Sequence, residues 1–312
     1  MRVGLVVDSA CDLSSSYLKG NGVVILPITI RNGTHAFVDV RDPSATREFY
    51  QQHLANSADS ETAALSVDEI KRLFLDRLVI DYDFVFCLTI ASGRSLIFEQ
   101  ATQASLSILS EYKPIRAAAG HPTPFALRVV DTQNLFAAQG VVTAEVVRMI
   151  HAGESPLRIR ERLDVLLPNL YGYMLPTNLF HLRARAAKKG DKSVGWLQYA
   201  LGSALDIKPL IRGFRNVTEP VAKLRHYDEG AKRCFEFLIE RMRAGLLTPT
   251  VCISYAGELD QLYRLPGYGR MAEFAAGQGI ELLTSVMSIT GAVNVGEGAL
   301  AFGFCAPAHV FE

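Results

Sequence analysis

Ser92 and Ser95 stand in "TIASGRS", directly after the apolar run Phe84–Ile90 and before a segment with Ile97, Ala101 and Ala104 at helical spacing. A continuous run of apolar, β-branched and aromatic residues reads as a strand buried on both faces. The serines therefore fall in a strand-to-helix turn. In an open α/β sheet such turns lie at the carboxyl edge of the strands, where ligands bind. Three chemistries are open to a serine there. Its hydroxyl can cap the helix, it can join backbone N–H groups in binding an anion, or it can act as a nucleophile, which requires a base. No histidine stands out as that base, and the nucleophile-elbow pattern Gly-x-Ser-x-Gly is absent.

Other reactive constellations are missing. Neither the Walker sequence nor Gly-x-Gly-x-x-Gly occurs, which argues against nucleotide binding of those kinds. The seven histidines are dispersed, with no pair at ligand spacing beside carboxylates, so no metal and no cofactor is expected. Cys11, Cys87, Cys234, Cys252 and Cys305 are odd in number and form no Cys-x-x-Cys; they read as reduced core thiols. The 32 basic residues equal the 32 acidic ones, leaving no global field to attract nucleic acid or anionic membrane. No segment approaches the ~20 apolar residues of a membrane span, and the opening apolar run is too short for a signal peptide. The expectation is a cytoplasmic protein with no stable membrane insertion and no nucleic-acid partner.

The elements that must position the serines can be read from periodicity. Val3–Val7 predicts a first strand, followed by a helix that Asp12 or Ser14 could cap; Val23–Ile30 predicts a second strand, with a hairpin-like turn at "NGTHAF". Helices are expected around Thr46–Leu54 and Val67–Leu78, then the strand Phe84–Ile90 and its helix, a strand at Ala126–Val130 and a helix from about Gln133 to His151. This alternation predicts an α/β fold with a parallel, doubly wound sheet over residues 1–154. After "HAGESP" the texture changes. A helix at Pro156–Leu167 leads to "YGYML", the basic stretch "LFHLRARAAKKGDK", and the strands "IKPLIRGF" and "TEPVAKLR" joined by a turn at Arg215–Asn216. A long helix at Asp228–Arg243 and strands at "TVCISYA", Ile280–Val286 and Leu300–Cys305 complete an α+β domain with a mixed sheet, residues 155–312. A cleft between the two domains is the natural ligand site.

Five stretches, in register over nearly the whole chain, resemble the DegV family of bacterial fatty-acid-binding proteins. "VVDSACDL" resembles the family's Asp-Ser-x-x-Asp-Leu after a strand, and "AFVDVRDPSATREFY" its two aspartates, here Asp39 and Asp42, ahead of a Phe-Tyr helix. "TIASGRS" resembles the Ile-Ser-Ser-x-x-Ser turn and keeps Ser92 and Ser95. "GSALDIKPLI" with "VAKLR" is similar to Gly-x-x-Leu-x-Ile-Lys-Pro-Ile/Leu, and "GAVNVGEGALAFGF" to the Gly-x-His-x-Gly-Pro-Gly-x-x-Gly terminus.

The resemblance implies a lipid site between the domains that holds one long-chain fatty acid by hydroxyl recognition of its carboxylate. It also implies a non-catalytic carrier, and in some members the acid is presented to a separate fatty acid kinase. Carried over by position, Ser92 is the main carboxylate donor and Thr62 the second, with Ser66, Ser95 and Asn294 beside them. Ser9 lines the same edge or serves a turn. Residue by residue, Thr62 and Ser66 read equally as caps for the helix starting at Val67. Where the family has arginine this chain has Lys192, with Arg185 or Arg183 near it as phosphate or partner contacts; the terminal histidine is Asn294 and the proline of Gly-Pro-Gly is Glu297. Asn294 can hydrogen-bond a head group but cannot titrate near neutral pH, and lysine offers charge without arginine's fork. A solvated helix face is the simpler reading of Arg183, Arg185, Lys188, Lys189 and Lys192. Two alternatives stand beside the carrier: a serine-dependent acyl hydrolase using Ser92, and a lipid-responsive interaction protein without transfer.

Overall fold

The structure is a computed structural model and describes residues 1–121, 123–179, 181–182 and 206–311. The chain opens with β1 (Val3–Asp8), α1 (Ser15–Gly20), β2 (Val24–Leu26), β3 (Ile28–Asn32), β4 (His35–Asp39), α2 (Pro43–Gln52) and β5 (Glu61–Ala64). It continues through α3 (Val67–Leu73), α4 (Val79–Asp81), β6 (Phe84–Thr89), α5 (Ile97–Ser107), α6 (Tyr112–Ala118), β7 (Ala126–Asp131), α7 (Phe136–His151) and α8 (Pro156–Leu166). Then come β8 (Leu170–Leu175), β9 (Ile207–Phe214), β10 (Val217–Arg225), α9 (Tyr227–Ala244) and β11 (Thr250–Tyr255). The last described elements are α10 (Leu259–Arg264), α11 (Tyr268–Gly277), β12 (Glu281–Val286), α12 (Ile289–Val295) and β13 (Leu300–Cys305).

The strand–helix alternation yields the expected parallel sheet, in the order β2-β1-β6-β7. The second large sheet is mixed, in the order β10-β9-β8-β13-β11-β12, with β11 and β12 parallel and the other pairs antiparallel. One expectation is corrected. Val23–Ile30 forms two strands, because Pro27 between them has no N–H to continue a ladder. Up to Leu26 the chain follows β1, while β3 departs into a small antiparallel sheet ordered β4-β3-β5. Ile28 N–H then donates to the Ser9 hydroxyl at 3.0 Å.

Helix α7 is the hinge of the architecture. Every residue from Phe136 to Val147 is buried; most are apolar, and the polar ones, Gln139, Thr143 and Glu145, are each hydrogen-bonded. It packs on β1 and β6 of the parallel sheet and on β8, β11 and β13 of the mixed sheet. Small residues permit that approach: a Cβ on Gly303 would overlap the Ala138 backbone, and one on Gly172 would overlap the Asn134 side chain. One apolar core thus runs from the parallel sheet through α7 to the inner face of the mixed sheet. A second core fills the space between the outer face of that sheet and α9 and α11. All five cysteines are buried and unpaired, and burial, with the charges of Asp8 and Asp12 adding to it, pushes the Cys11 thiol up to about 12, which keeps it unreactive.

Candidate functional site

Three strands of the parallel sheet end side by side, and their exits form one polar edge. At the end of β1, Asp8 is fully buried and accepts from Ala10 N–H at 3.0 Å and from Ile90 N–H at 2.6 Å. It therefore ties the exit of β1 to the exit of β6. Burial raises the Asp8 carboxyl to about 6 even though those N–H groups and the Gln139 amide oppose the rise.

Ser92 follows two residues after Ile90 and is exposed. Its backbone N–H and hydroxyl both donate to Asp131 at the end of β7, at 3.1 and 2.6 Å. Asp131 also accepts from Gln133 N–H at 2.8 Å and from the Asn216 amide at 3.0 Å. Asn216 lies in the β9–β10 turn, and its own N–H donates to Gln133 O at 2.9 Å, so a hairpin of the mixed sheet closes over the Ser92 turn. Arg94 donates to the Thr218 hydroxyl on the same hairpin. Asn134 completes the seam: its carbonyl accepts Ala91 N–H at 2.9 Å, while its amide donates to Leu170 O and Gly213 O, each at 2.9 Å.

A second buried seam runs between the small sheet and α12. Asp39 accepts from Thr290 N–H at 3.0 Å and the Thr290 hydroxyl at 2.9 Å. Thr290 gives its proton to Asp39, so in the 3.5 Å contact between their hydroxyls Ser9 is the donor. Asp12 accepts from the Ser254 hydroxyl at 2.6 Å and Ser288 N–H at 2.8 Å, with an Arg41 guanidinium nitrogen 3.6 Å away. Arg41 also donates to Leu13 O and Val286 O, at 2.8 and 3.0 Å. Burial raises the Asp12 carboxyl above its ordinary value despite Arg41; desolvation outweighs the ion pair. Asp12 was one of two candidate caps for α1. Ser14 takes that role, and Asp12 instead clamps the two halves.

The remaining sequence candidates distribute as follows. Thr62 does not cap a helix; it lies half-buried on β5, opposite Ile30. Ser66 is the N-cap of α3 in a capping box, its hydroxyl 2.6 Å from Glu69 Oε2. The Ser95 hydroxyl accepts Ile97 N–H at 3.3 Å at the start of α5. Asn294 sits one turn beyond Thr290 on α12 and donates to Thr290 O at 2.7 Å. Thr62 pairs with Ile30, two residues along β3 from Ile28, whose N–H meets Ser9; Asn294 follows Thr290, whose hydroxyl meets Ser9; Ser92 stands at the exit of β6. Asp42 caps α2. Arg183, Arg185, Lys188, Lys189 and Lys192 lie outside the described residues.

Sequence reasoning did not find Asp131, Asn216 or Thr290 as partners of the site. The only signal for Asp131 is an aspartate closing an apolar strand beside the Ser92 strand. No group of three or more His, Cys, Asp or Glu among the described residues is placed to hold a metal ion. No helix among them is long and apolar enough to cross a membrane. A shallow cavity of about 60 Å³ beside Tyr82 and His151, near the start of β1, has room for a few waters only.

A parallel sheet joined through a buried helix to a mixed sheet, with polar strand exits at the seam, is an α/β architecture of the kind in which ligand sites fall at strand ends. The chain belongs to the DegV family: the family model described as "Uncharacterised protein, DegV family" matches residues 2–307. A DegV domain-containing protein of Xanthomonas campestris pv. campestris is 54% identical over 313 residues, covering 100% of both chains. Among solved structures, a fatty acid (stearic acid)-binding protein from Eubacterium ventriosum superposes with a TM-score of 0.76 at 21% identity, covering 97% of this chain and 98% of its own. DegV from Bacillus subtilis, described as a fatty acid binding protein, superposes with a TM-score of 0.74 at 20% identity, covering 98% and 100%. These likenesses establish the fold.

Proposed function

We propose that this protein binds one long-chain fatty acid between its two domains, residues 1–154 and 155–312, and carries it without covalent chemistry of its own. The observation that supports this most is the shared fold over nearly the full length of structures described as fatty-acid-binding. Ser92 and Thr62 take the carboxylate in this reading, with Ser66, Ser95 and Asn294 around it. The bonding of the Ser92 turn supports this reading. Asp131 holds the turn with three N–H donors besides the Ser92 hydroxyl, so the hydroxyl can swing to a ligand without stranding Asp131. Energetics permit hydroxyls alone to secure the head. About fifteen buried methylenes at ~0.8 kcal/mol each give a gross term near 12 kcal/mol, part of which offsets the ordering of the tail. The carboxylate then needs only to avoid being buried unsatisfied.

Presentation of the bound acid to a separate fatty acid kinase completes the proposal, with Lys192 and Arg185 as contacts to the phosphate or the partner and Asn294 at the head group. The Ser92 hydroxyl is bonded to a carboxylate, not to an imidazole, and that supports a carrier over a hydrolase. The decisive test is mass spectrometry of organic extracts from the purified protein, repeated after delipidation and reloading with oleate. A near-stoichiometric long-chain acid is expected. A protein that is empty and refuses oleate and palmitate overturns the reading, and covalent labelling of Ser92 by a serine-reactive phosphonate would replace it with hydrolysis.

A further inference from the structure

The outer face of the mixed sheet carries a cationic corner that the fatty-acid reading does not use. Tyr171 on β8 is only 3% exposed as a residue, but its hydroxyl is not among the fully buried polar atoms that lack a partner; it reaches the surface and makes no hydrogen bond among the described residues. The Tyr171 ring stacks on Phe214, at 4.4 Å between centroids, and meets the His309 ring at 4.1 Å with the planes tilted by 48°. Two guanidinium groups flank the same stack: Arg215 lies 4.9 Å and Arg212 5.7 Å from the Phe214 ring. A third, Arg241, lies 5.5 Å from Phe237, whose ring is 5.7 Å from His309.

These cations are poorly compensated. Arg212 pairs with Glu219, but its Nε is buried without a partner, as is the Nε of Arg241. Arg215 donates only to Pro168 O, at 3.1 and 3.0 Å. Among the described residues neither Arg215 nor Arg241 has an acidic partner. Three guanidinium groups against one carboxylate leave two positive charges around an unpartnered hydroxyl donor. His309 adds none. Its Nδ1 faces Pro307 O at 2.8 Å and so carries the proton, leaving Nε2 to accept from the Tyr173 hydroxyl at 3.0 Å. Burial lowers its pKa, as do Arg241 and Arg212, against the opposing hydrogen bond to Pro307 O.

We propose that Tyr171, Arg212 and Arg215, with Arg241 behind them, form a binding site for a phosphate group, carried by a small soluble molecule or by a lipid head. Arg215 spends its Nε and one Nη on Pro168 O and Arg212 one Nη on Glu219, so the remaining Nη groups are the donors offered to phosphate oxygens. A phosphate monoester, with close to two negative charges at neutral pH, matches the excess. The site is continuous with the strand-exit edge, because Asn216, next to Arg215, is the residue that bonds Asp131 beneath the Ser92 turn.

The test is calorimetric titration of the full chain with inorganic phosphate at fixed ionic strength, alongside sedimentation with phosphatidylcholine vesicles with and without phosphatidic acid. Saturable binding of one phosphate, or sedimentation only with phosphatidic acid, is expected, and the choice between them identifies the soluble or the lipid source. Arg212→Gln should weaken whichever binding is seen at least tenfold and Tyr171→Phe several-fold, while Arg158→Gln, a substitution on the exposed face of α8, should leave it unchanged. Tyr171→Phe removes one oxygen and keeps the stack, so it tests the site even where the arginine variant folds poorly. Absence of binding in both formats overturns the proposal, as does binding that neither variant alters.

Discussion

Acidification should strengthen this protein through Asp8. Its carboxyl rises from 3.8 to about 6 because full burial outweighs the donors from Ile90, Ala10 and Gln139. A raised native pKa means that the folded state holds the proton more tightly than the unfolded chain between those two values. The associated stability is fully present below about pH 4 and is lost as pH climbs through about 6. The rise from 3.8 to about 6 corresponds to about 3 kcal/mol. Urea unfolding of the parent and of Asp8→Asn, followed between about pH 4 and about pH 7, isolates the effect, since the other carboxylates titrate in both proteins and subtract out. The stability of the parent minus that of the variant should fall by about 2–2.5 kcal/mol across that interval, since the unfolded carboxyl is already more than half ionised at about pH 4. A difference that is flat with pH, or that grows as pH rises, would refute the claim that burial dominates at Asp8. The same experiment bears on the site, because Asp8 holds the Ile90 N–H that leads into the Ser92 turn.

Ser92→Ala should weaken fatty-acid binding about five- to tenfold, the worth of one hydrogen bond at about 1–1.5 kcal/mol. The urea midpoint should stay where it is, because Asp131 keeps its N–H donors; unchanged lipid affinity removes Ser92 from the head-group site. Gly303→Ala forces a methyl against the Ala138 backbone and should cost about 1–3 kcal/mol or more of stability, read as a lower urea midpoint; an unmoved midpoint would show that α7 can retreat from β13. Asp12→Ala strands the Ser254 hydroxyl, the Ser288 N–H and the Arg41 guanidinium, at a cost of about 3–5 kcal/mol. Adding Arg41→Met should recover part of that loss, and simple additivity in the double variant would show that the two residues are not coupled.

Elements whose signal is local were legible. The strands Phe84–Thr89 and Leu300–Cys305 are unbroken apolar runs, and the β9–β10 hairpin, with its turn at Arg215–Asn216, is bounded in the structure as the strand patterns predict. The Val23–Ile30 reading failed because apolar continuity was weighed above Pro27, whose missing N–H separates two sheets. Helix α12 went unread for a different reason. "ITGAVNV" is rich in β-branched residues and glycine, which are poor helix formers, so nothing local announces it. It is helical because its opening N–H groups have partners brought from elsewhere: Ser288 N–H goes to Asp12, Thr290 N–H to Asp39, and Gly291 N–H to the Ser288 hydroxyl. Two buried carboxylates from the N-terminal half thus stabilise the N-terminal end of a helix in the other half.

The candidate site divides along the same line. That Ser92 lies in a turn at a strand exit follows from its immediate neighbours. What its hydroxyl does there depends on Asp131, 39 residues on, and Asp131 in turn on Asn216, a further 85 residues away. Spacing along the chain carries no trace of those contacts, since β7 meets β6 through the sheet and the hairpin reaches both through tertiary hydrogen bonds from Asn216 and Thr218. Under the proposed function the consequence is specific. A head group at this edge would meet a serine whose proton is already given to a carboxylate, and that carboxylate is tied to the other half of the molecule. Taking up the Ser92 hydroxyl would then remove one of the four donors of Asp131, the residue that Asn216 joins to the hairpin bearing Arg215. Occupancy of the strand-exit edge and the state of the cationic corner are joined by two hydrogen bonds, so Asn216→Ala should uncouple them while leaving the groups that touch each ligand in place.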